Sequence, residues 1–234
     1  MNTSEPAGPN PDRIKPVGDI FGELFLDVIH AIQARQSVGR VRQDPVPEDL
    51  IGRILESAVH APNHRITEPW RFHVFTGKGR GELARARAET ARLQAEAEGE
   101  DEEMAAGRIS RERKKAFRAP VVIAVISAAG RDEVETLENY AACAAAVQNM
   151  QLTAHSLGLA SIWRTGPVAY HEHMRAFFGL AEGDRIVAYL YVGYPDMGQR
   201  PRRRSPAGER TFWHEGREAA QGVGSGEQGV GDAR

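Results

Sequence analysis

The chain contains a single cysteine, Cys143, among its 234 residues. It therefore has no internal disulfide framework, which fits a reducing cytoplasm. It also lacks any run near the roughly 18 consecutive apolar residues that a membrane-spanning helix needs, and it lacks the apolar core of a signal peptide. Its formal net charge of −2 argues against general nucleic-acid binding. We therefore expect a soluble, cytoplasmic protein with neither a membrane nor a nucleic acid as partner.

Both ends of the chain have little apolar content. Residues 1–17 are polar and proline-rich, and residues 214–234 consist mostly of Gly, Glu, Gln, Ala and Ser. Such segments bury too little apolar surface to fold, so both are expected to be disordered tails. Because 41% of all residues are hydrophobic, residues 18–213 are predicted to form one domain around a sizeable core.

Hydrophobic periodicity predicts a layered protein of helices and strands. Apolar residues recur at helical spacing in residues 19–35, in residues 50–59 and along a long central helix, residues 133–157. Interior or alternating apolar runs predict strands at residues 71–76, 120–126, 159–163 and 186–191. The interleaved order favours about four strands with long covering helices.

The central helix and residues 81–115 are the two unusual segments. No polar side chain interrupts residues 140–147, so the helix is expected to be buried there on nearly all sides. Its Ala-rich centre suits close packing against another helix, either in the core or across the interface of an obligate homodimer. Residues 81–115 are dense in Glu, Arg and Ala. This composition favours one or two solvated helices that form a charged surface arm or, alternatively, a mobile lid.

Familiar sequence signatures are incomplete in this chain. Residues 77–81 carry alternating glycines, but Glu82 stands where a dinucleotide fingerprint needs its third glycine. His60 and His64 have the spacing of a helical metal pair, yet Pro62 lies between them and should end the helix. No metal site is therefore predicted.

The remaining polar pieces suit a cofactor with an anionic group and a flat ring. Arg35 and Ser37, at a helix end, can bind a phosphate. His60 and His64 can hydrogen-bond a polar edge, and residues 163–164 offer a tryptophan stacking face beside a cation. This pattern is typical of a cofactor-binding protein.

In their order and spacing, several motifs resemble the nitroreductase family, specifically its compact NAD(P)H-dependent branch that uses flavin mononucleotide (FMN). The resemblance covers residues 29–206. The motifs that carry it are Arg35-Gln36-Ser37-Val38-Gly39-Arg40, Ala61-Pro62-Asn63-His64, Pro69-Trp70-Arg71-Phe72, Phe117-Arg118-Ala119-Pro120, Gln148-Asn149-Met150, Gly158-Leu159, Ile162-Trp163-Arg164-Thr165-Gly166 and Gly193-Tyr194-Pro195. The resemblance implies an α+β fold with a mixed or antiparallel sheet of four to five strands, a long buried central helix, and a homodimer with two FMN molecules at its interface.

The resemblance also implies which residues bind the cofactors. The FMN-binding residues would be Arg35, Gln36, Ser37, His60, His64, Trp163, Arg164, Thr165 and Arg204, with one of the two histidines reaching the flavin of the partner subunit. A stretch sometimes assigned to the nicotinamide dinucleotide corresponds to Thr153, Ala154, His155, Ser156, Leu157 and Gly158. Arg204 ends a basic run, residues 200–204, for which a solvated tail is the alternative. The chain departs from the family at Gln36, where a second arginine is common, and at Glu68, where glutamine is common.

The implied reaction has two halves at one face of the flavin. NADH or NADPH delivers hydride and leaves, and an electron-poor acceptor such as a nitroaromatic or a quinone then takes the electrons, in a ping-pong mechanism. Since the cofactor carries the chemistry, no catalytic side chain is nominated. Two alternatives remain open: a flavin-binding module that stores the cofactor without turnover, and a dehalogenase or flavin-modifying relative on the same fold.

Overall fold

The computed structural model describes residues 28–198 and 204–214. The chain divides into two units, Met1–Gln199 and Arg200–Arg234. The predicted N-terminal tail, the first part of the predicted helix at residues 19–35, and all of the predicted C-terminal tail except His214 lie outside the described residues. Among the residues described, no helix is both long enough and apolar enough to cross a membrane.

The first unit contains helices and strands in interleaved order. Its α-helices are α1 (Val28–Ala34), α2 (Glu48–Val59), α3 (Gly79–Ala97), α4 (Glu102–Lys115), α5 (Glu133–Ser156) and α6 (Glu172–Phe177). Its strands are β1 (Trp70–Thr76), β2 (Val121–Ser127), β3 (Ala160–Arg164) and β4 (Arg185–Gly193). Each strand lies within one or two residues of its predicted start, and α5 ends before Gly158, whose φ of 73° is the left-handed conformation that favours glycine after a helix.

The four strands form one antiparallel sheet in the order β1-β2-β4-β3. This arrangement confirms the α+β fold and selects the antiparallel alternative. Strand β2 is buried along its whole length, because helices cover both of its faces. Its residues Val121, Ile123 and Val125 pack with α2 and α5 on one face, and the alternate residues pack with α3 and α6 on the other. The sheet therefore separates two apolar layers.

Residues 81–115 form two helices, as predicted, but only α4, in which Glu112 is the one buried residue, is largely solvated. These helices form the α3–α4 hairpin. Leu83 and Ala84 of α3 pack against the sheet, and Ala91 is fully buried as well. Arg87 is buried as well, with Nη2 2.6 Å from Glu112 Oε2 and its guanidinium 5.0 Å from the centre of the Tyr189 ring. One of the many charged residues of this hairpin is thus a buried, ion-paired arginine. Composition alone does not distinguish such a residue from a solvated one.

The central helix α5 is confirmed, but its burial in the single chain is one-sided. Cys143, Ala146 and Val147 are fully buried against the sheet. On the other side, Val134 is 66% exposed and Leu137 is 70% exposed, and Ala141 is also exposed. Within residues 140–147, for which burial was predicted, only Ala141 is exposed in the single chain, and the other residues are buried or half-buried. The exposed apolar face of α5 lies mainly before this stretch, at Val134 and Leu137.

A buried carboxylate, Asp184, ties three segments together at one end of the sheet. It accepts hydrogen bonds from the backbone N–H groups of Ala129 (2.9 Å) and Ala181 (3.0 Å), and it forms an ion pair with Arg71. Burial acts to raise the pKa of Asp184, but these donors together outweigh it and hold the pKa below its usual range. The carboxylate thereby links the start of β1, the end of β2 and the loop before β4.

We expect Asp184→Asn to lower the free energy of unfolding by about 2–4 kcal/mol at pH 7, since it removes the charge and leaves buried donors without a matching acceptor. The folded pKa is depressed, so this contribution is complete above the ordinary carboxyl pKa of about 4 and is lost as pH falls through the folded pKa. Urea unfolding should therefore show the two proteins converging below about pH 4.

The matched control is Asp44→Asn, because Asp44 lies in an exposed ion pair, 3.4 Å from Arg42. Such pairs contribute less than about 1 kcal/mol. An Asp184→Asn protein as stable as the unsubstituted one at pH 7, or a stability difference that does not change with pH, would contradict this account of the anchor.

Candidate functional site

The segment that follows α1 lies beside the edge strand β3. Ser37 forms an isolated parallel bridge with Ser161, and the Val38 N–H donates to the Ser161 carbonyl oxygen at 3.1 Å. Strand β3 continues from Ser161 to Arg164. Two groups of predicted site residues that are far apart in sequence, residues 35–37 and residues 163–165, are thereby brought to the same edge of the sheet.

Arg164 lies against the backbone of Gly39. A Cβ atom at Gly39 would be 3.4 Å from Arg164 Nη2, which is van der Waals contact, so the guanidinium lies directly beside this backbone. Arg164 is half-buried and Ser37 is exposed. The guanidinium and the hydroxyl lie along the same edge of the sheet, and both are donor types that bind phosphate groups.

Trp163 has a different environment from Arg164. It is half-buried, it packs against the apolar layer that contains α5, and its Nε1–H donates to the Val187 carbonyl oxygen at 3.0 Å. Ile162, one residue earlier, packs against the opposite layer. Because successive strand residues point to opposite faces, Trp163 and Arg164 do not form the expected stacking face beside a cation.

Arg35 lies where α1 meets the C-terminal end of α5. Its backbone N–H donates to the Ala31 carbonyl oxygen, which continues the helical pattern of α1 by one residue. Burial, Arg35 and His30 all lower the pKa of His155. The three basic residues Arg35, His30 and His155 therefore form one electrostatic cluster, which we call the α1–α5 basic cluster.

The rest of the stretch predicted to bind nicotinamide closes α5. Ala154 is fully buried, the Thr153 carbonyl accepts from the Leu157 N–H and from Ser156 Oγ, and Leu157 packs against the core. Gly158 then turns the chain towards β3. His155 is thus the titratable side chain that this stretch brings to the α1–α5 basic cluster.

His64 lies elsewhere, near the beginning of α5. His60 follows α2, where the Ser57 carbonyl oxygen accepts from Asn149 Nδ2 in the second half of α5. His64 Nδ1 is 3.3 Å from Glu138 Oε1, and His60 Nε2 is 3.5 Å from Glu56 Oε1. The helical rise of 1.5 Å per residue places Glu138 and His155 about 25 Å apart along α5. Within a single chain, most of the length of α5 therefore separates His64 from the α1–α5 basic cluster.

The loop that carries His64 is unusual in its backbone. Arg65, Ile66 and Glu68 have φ values of 55°, 56° and 43°, in the left-handed region that non-glycine residues rarely adopt. Asn139 on α5 holds the loop, because its Oδ1 accepts from Thr67 Oγ1 at 2.8 Å and its Nδ2 donates to the Ala128 carbonyl oxygen at 3.3 Å. Sequence analysis missed Asn139, which appears as one polar residue in the first half of a long helix.

Gln36, Thr165 and Arg204 complete the predicted set. Gln36 is half-buried beside Ser37, and Thr165 is exposed directly after β3. Arg204 belongs to the second unit, in which the described residues include a short 3-10 helix, Ala207–Arg210, and are exposed. Within residues 28–198 and 204–214, no group of three or more His, Cys, Asp or Glu side chains is placed to hold a metal ion.

The first unit matches proteins of one known family. A model described as the nitroreductase family matches residues 32–194. The chain belongs to the nitroreductase family. It is 31% identical over 180 residues to the protein named "Putative NAD(P)H nitroreductase YfhC" of Bacillus subtilis, and the match covers 76% of this chain and 90% of that protein.

Two solved nitroreductase structures share the fold. A nitroreductase-like protein from Bacillus cereus has 30% sequence identity and a TM-score of 0.74, with coverage of 84% of this chain and all of that chain. A variant of the FMN- and NADPH-dependent nitroreductase NfnB from Sphigopyxis sp. strain HMH has 25% identity and a TM-score of 0.63, with coverage of 80% and 99%. The layered architecture of this nitroreductase is therefore shared along nearly the full length of both neighbours.

Proposed function

We propose that this nitroreductase binds FMN and transfers electrons from NADH or NADPH to an electron-poor acceptor such as a nitroaromatic or a quinone. Two findings support the proposal: membership of the family, and the resemblance to a protein described as FMN- and NADPH-dependent. The observation that carries it on this chain is the pairing of Ser37 with Ser161, which joins the predicted phosphate-binding and ring-binding segments.

The residues at this edge fit an FMN phosphate. Arg35 and Arg164 supply guanidinium groups, which bind phosphate through two parallel hydrogen bonds, and the Ser37 hydroxyl supplies a further donor. The Arg164 guanidinium lies beside Gly39, with Nη2 3.4 Å from the position that a Cβ atom would take there. Gln36 adds an amide donor without adding charge. We propose that these residues hold the phosphate and the ribityl chain.

When bound, FMN supplies the chemistry of hydride acceptance and electron donation, and the protein supplies position and environment. We propose that Trp163, fixed by its hydrogen bond to the Val187 carbonyl oxygen, forms an immobile wall behind the cofactor. Gly166 has φ of 130°, which turns the chain immediately after β3. The backbone amides of Thr165 and Gly166 are our candidates for hydrogen bonds to the reactive edge of the ring.

We further propose a homodimer in which each site receives residues from both chains. His64 lies near one end of α5, and the basic cluster lies at the other end. A twofold axis across the middle of α5 would place each end of one helix near the opposite end of its partner. The exposed apolar residues of α5, Val134 and Leu137, and those of α1, Val28 and Ile32, supply the surface that such a dimer would bury.

The proposed activity is tested on the purified full-length protein. We expect it to be yellow, to release FMN on denaturation, and to lose its visible flavin absorbance anaerobically when excess NADH or NADPH is added. A nitroaromatic or a quinone should then restore the absorbance, because the acceptor removes the electrons. A protein that takes up no flavin, or that releases flavin adenine dinucleotide, would contradict the proposal. Bound FMN that neither NADH nor NADPH bleaches would favour a flavin-storage protein instead.

Leu137→Arg tests the dimer, because it adds a charge to a side chain that is 70% exposed in the single chain and should not disturb its core. We expect a monomer by light scattering, with FMN bound at least tenfold more weakly, roughly the cost of one lost charged contact. Met104→Arg is the matched control, since Met104 is a comparably exposed apolar residue on α4. Dimeric Leu137→Arg protein with full FMN affinity would overturn the arrangement.

A further inference from the structure

The α1–α5 basic cluster lies close to the proposed phosphate site. Arg35 ends the helical pattern of α1 and is followed, two residues later, by Ser37, which pairs with Ser161 of β3. His155 lies in the last turn of α5, and the chain reaches Ser161 only six residues later through the turn at Gly158. Two segments meet at the parallel pairing of Ser37 with Ser161. Arg35 lies two residues before Ser37, and Leu159 lies two residues before Ser161, with its N–H 2.8 Å from the Ala154 carbonyl oxygen in the last turn of α5. This pairing therefore brings Arg35 towards the turn that carries His155.

The charges that act on His155 are all of one sign. Partial burial is the largest cause that lowers the pKa of His155. Arg35, which follows α1, and His30, on α1, lower it further because positive charge disfavours the imidazolium. Helix α2 and strands β2, β3 and β4 also pack against α5. The 3-10 turn His64–Ile66 packs against α5 as well. The acidic and basic residues of these elements are Glu48, Asp49, Arg53 and Glu56 on α2, His64 and Arg65 on the turn, Arg164 on β3 and Arg185 on β4. The groups that lower the pKa of His155, beside burial, are Arg35 and His30. The cluster therefore has a deficit of negative charge.

We propose that His155 belongs to the FMN phosphate site and becomes protonated when the phosphate binds, so that FMN binding takes up protons. The inference rests on the proposed function. It assigns to His155 a role towards the phosphate of FMN, whereas the family resemblance places this stretch with the nicotinamide dinucleotide.

The direction of the effect follows from the charges. In the free protein, Arg35 and His30 oppose the proton on His155, so the imidazole is largely neutral near pH 7.5. A phosphate with about two negative charges removes that opposition and hydrogen-bonds to the imidazolium. A group whose pKa is higher in the complex than in the free protein makes binding tighter as pH falls. The phosphate itself protonates near pH 6, with the opposite effect on affinity, so the test is confined to pH 6.5–8.5.

Equilibrium dialysis of the full chain, stripped of flavin, with FMN and with riboflavin tests the proposal. Between pH 8.5 and pH 6.5 the dissociation constant for FMN should fall about three- to tenfold, within the range of one charge-assisted hydrogen bond. Riboflavin, which lacks the phosphate, should show no such trend. In His155→Gln, which keeps a hydrogen-bond donor but cannot titrate, the FMN trend should disappear.

His73→Gln is the matched control. His73 is also a partly buried histidine whose pKa is lowered, by burial and by Arg71, but it lies on β1, the opposite edge of the sheet. Its replacement should leave the pH dependence of FMN binding intact. Persistence of that dependence in His155→Gln, its loss in His73→Gln, or an equal trend for riboflavin would overturn the role of His155.

Calorimetry of the unsubstituted protein keeps the proposal testable if His155→Gln does not fold. FMN titrations at pH 7.5 in two buffers of different ionisation enthalpy should show net proton uptake, and zero uptake or proton release would refute the inference. The two proposals fail differently. A chain that binds no FMN at any pH refutes the proposed function, whereas FMN binding without proton uptake refutes only the role of His155.

Discussion

The pairing of the chain after α1 with the edge strand β3 is the contact on which the proposed site depends. One hydrogen bond, from the Val38 N–H to the Ser161 carbonyl oxygen, fixes the register of this pairing. That register places Ser37 beside Ser161 and leaves Gly39 under the Arg164 guanidinium. An edge strand presents backbone groups that must be paired or covered. Here the covering segment also carries the residues that suit a phosphate.

The length of α5 imposes the second constraint. Its 24 residues span the unit from the His64 loop, held through Asn139, to the basic cluster around His155. Because a helix is rigid over this length, the His64 loop and the α1–α5 basic cluster remain about 25 Å apart along α5 in one chain. The one-sided burial of α5 follows the same logic, since the face with Leu137 has no partner among the described residues. Both observations favour a site shared between two copies.

Sequence reasoning predicted the elements well where local patterns decide them. Strand β2 is a run of β-branched residues and alanine, and Gly158 ends α5, so both follow from short-range chemistry. The same reasoning failed where contacts between residues distant in sequence determine the local structure. The burial of Arg87 depends on Glu112 and Tyr189, which no periodicity reveals. The left-handed Ile66 likewise depends on the tether from Thr67 to Asn139.

The candidate site residues come from motifs, and the structure shows which of them lie close together. Sequence analysis expected Trp163 and Arg164 to form one binding face because they are adjacent in the chain. In a strand, however, adjacent side chains point to opposite faces of the sheet. Sequence analysis also placed His60 and His64 at the flavin, with one of them reaching the flavin of the partner subunit, and the distance along α5 favours that role for His64. Conversely, His155 was assigned by resemblance to the dinucleotide, and only the packing of α1 on α5 places it beside Arg35.

The central claim is that the edge formed by Arg35, Ser37 and Arg164 binds the phosphate of FMN. The most direct measurement compares FMN with riboflavin in Arg35→Ala and in the unsubstituted protein by quenching of flavin fluorescence. The account predicts that Arg35→Ala binds FMN about 10- to 100-fold more weakly, while the affinity for riboflavin barely changes. Arg35→Lys should restore only part of the loss, because a point charge does not reproduce the two parallel hydrogen bonds. An equal loss of affinity for FMN and riboflavin would show that Arg35 is structural and would contradict the claim.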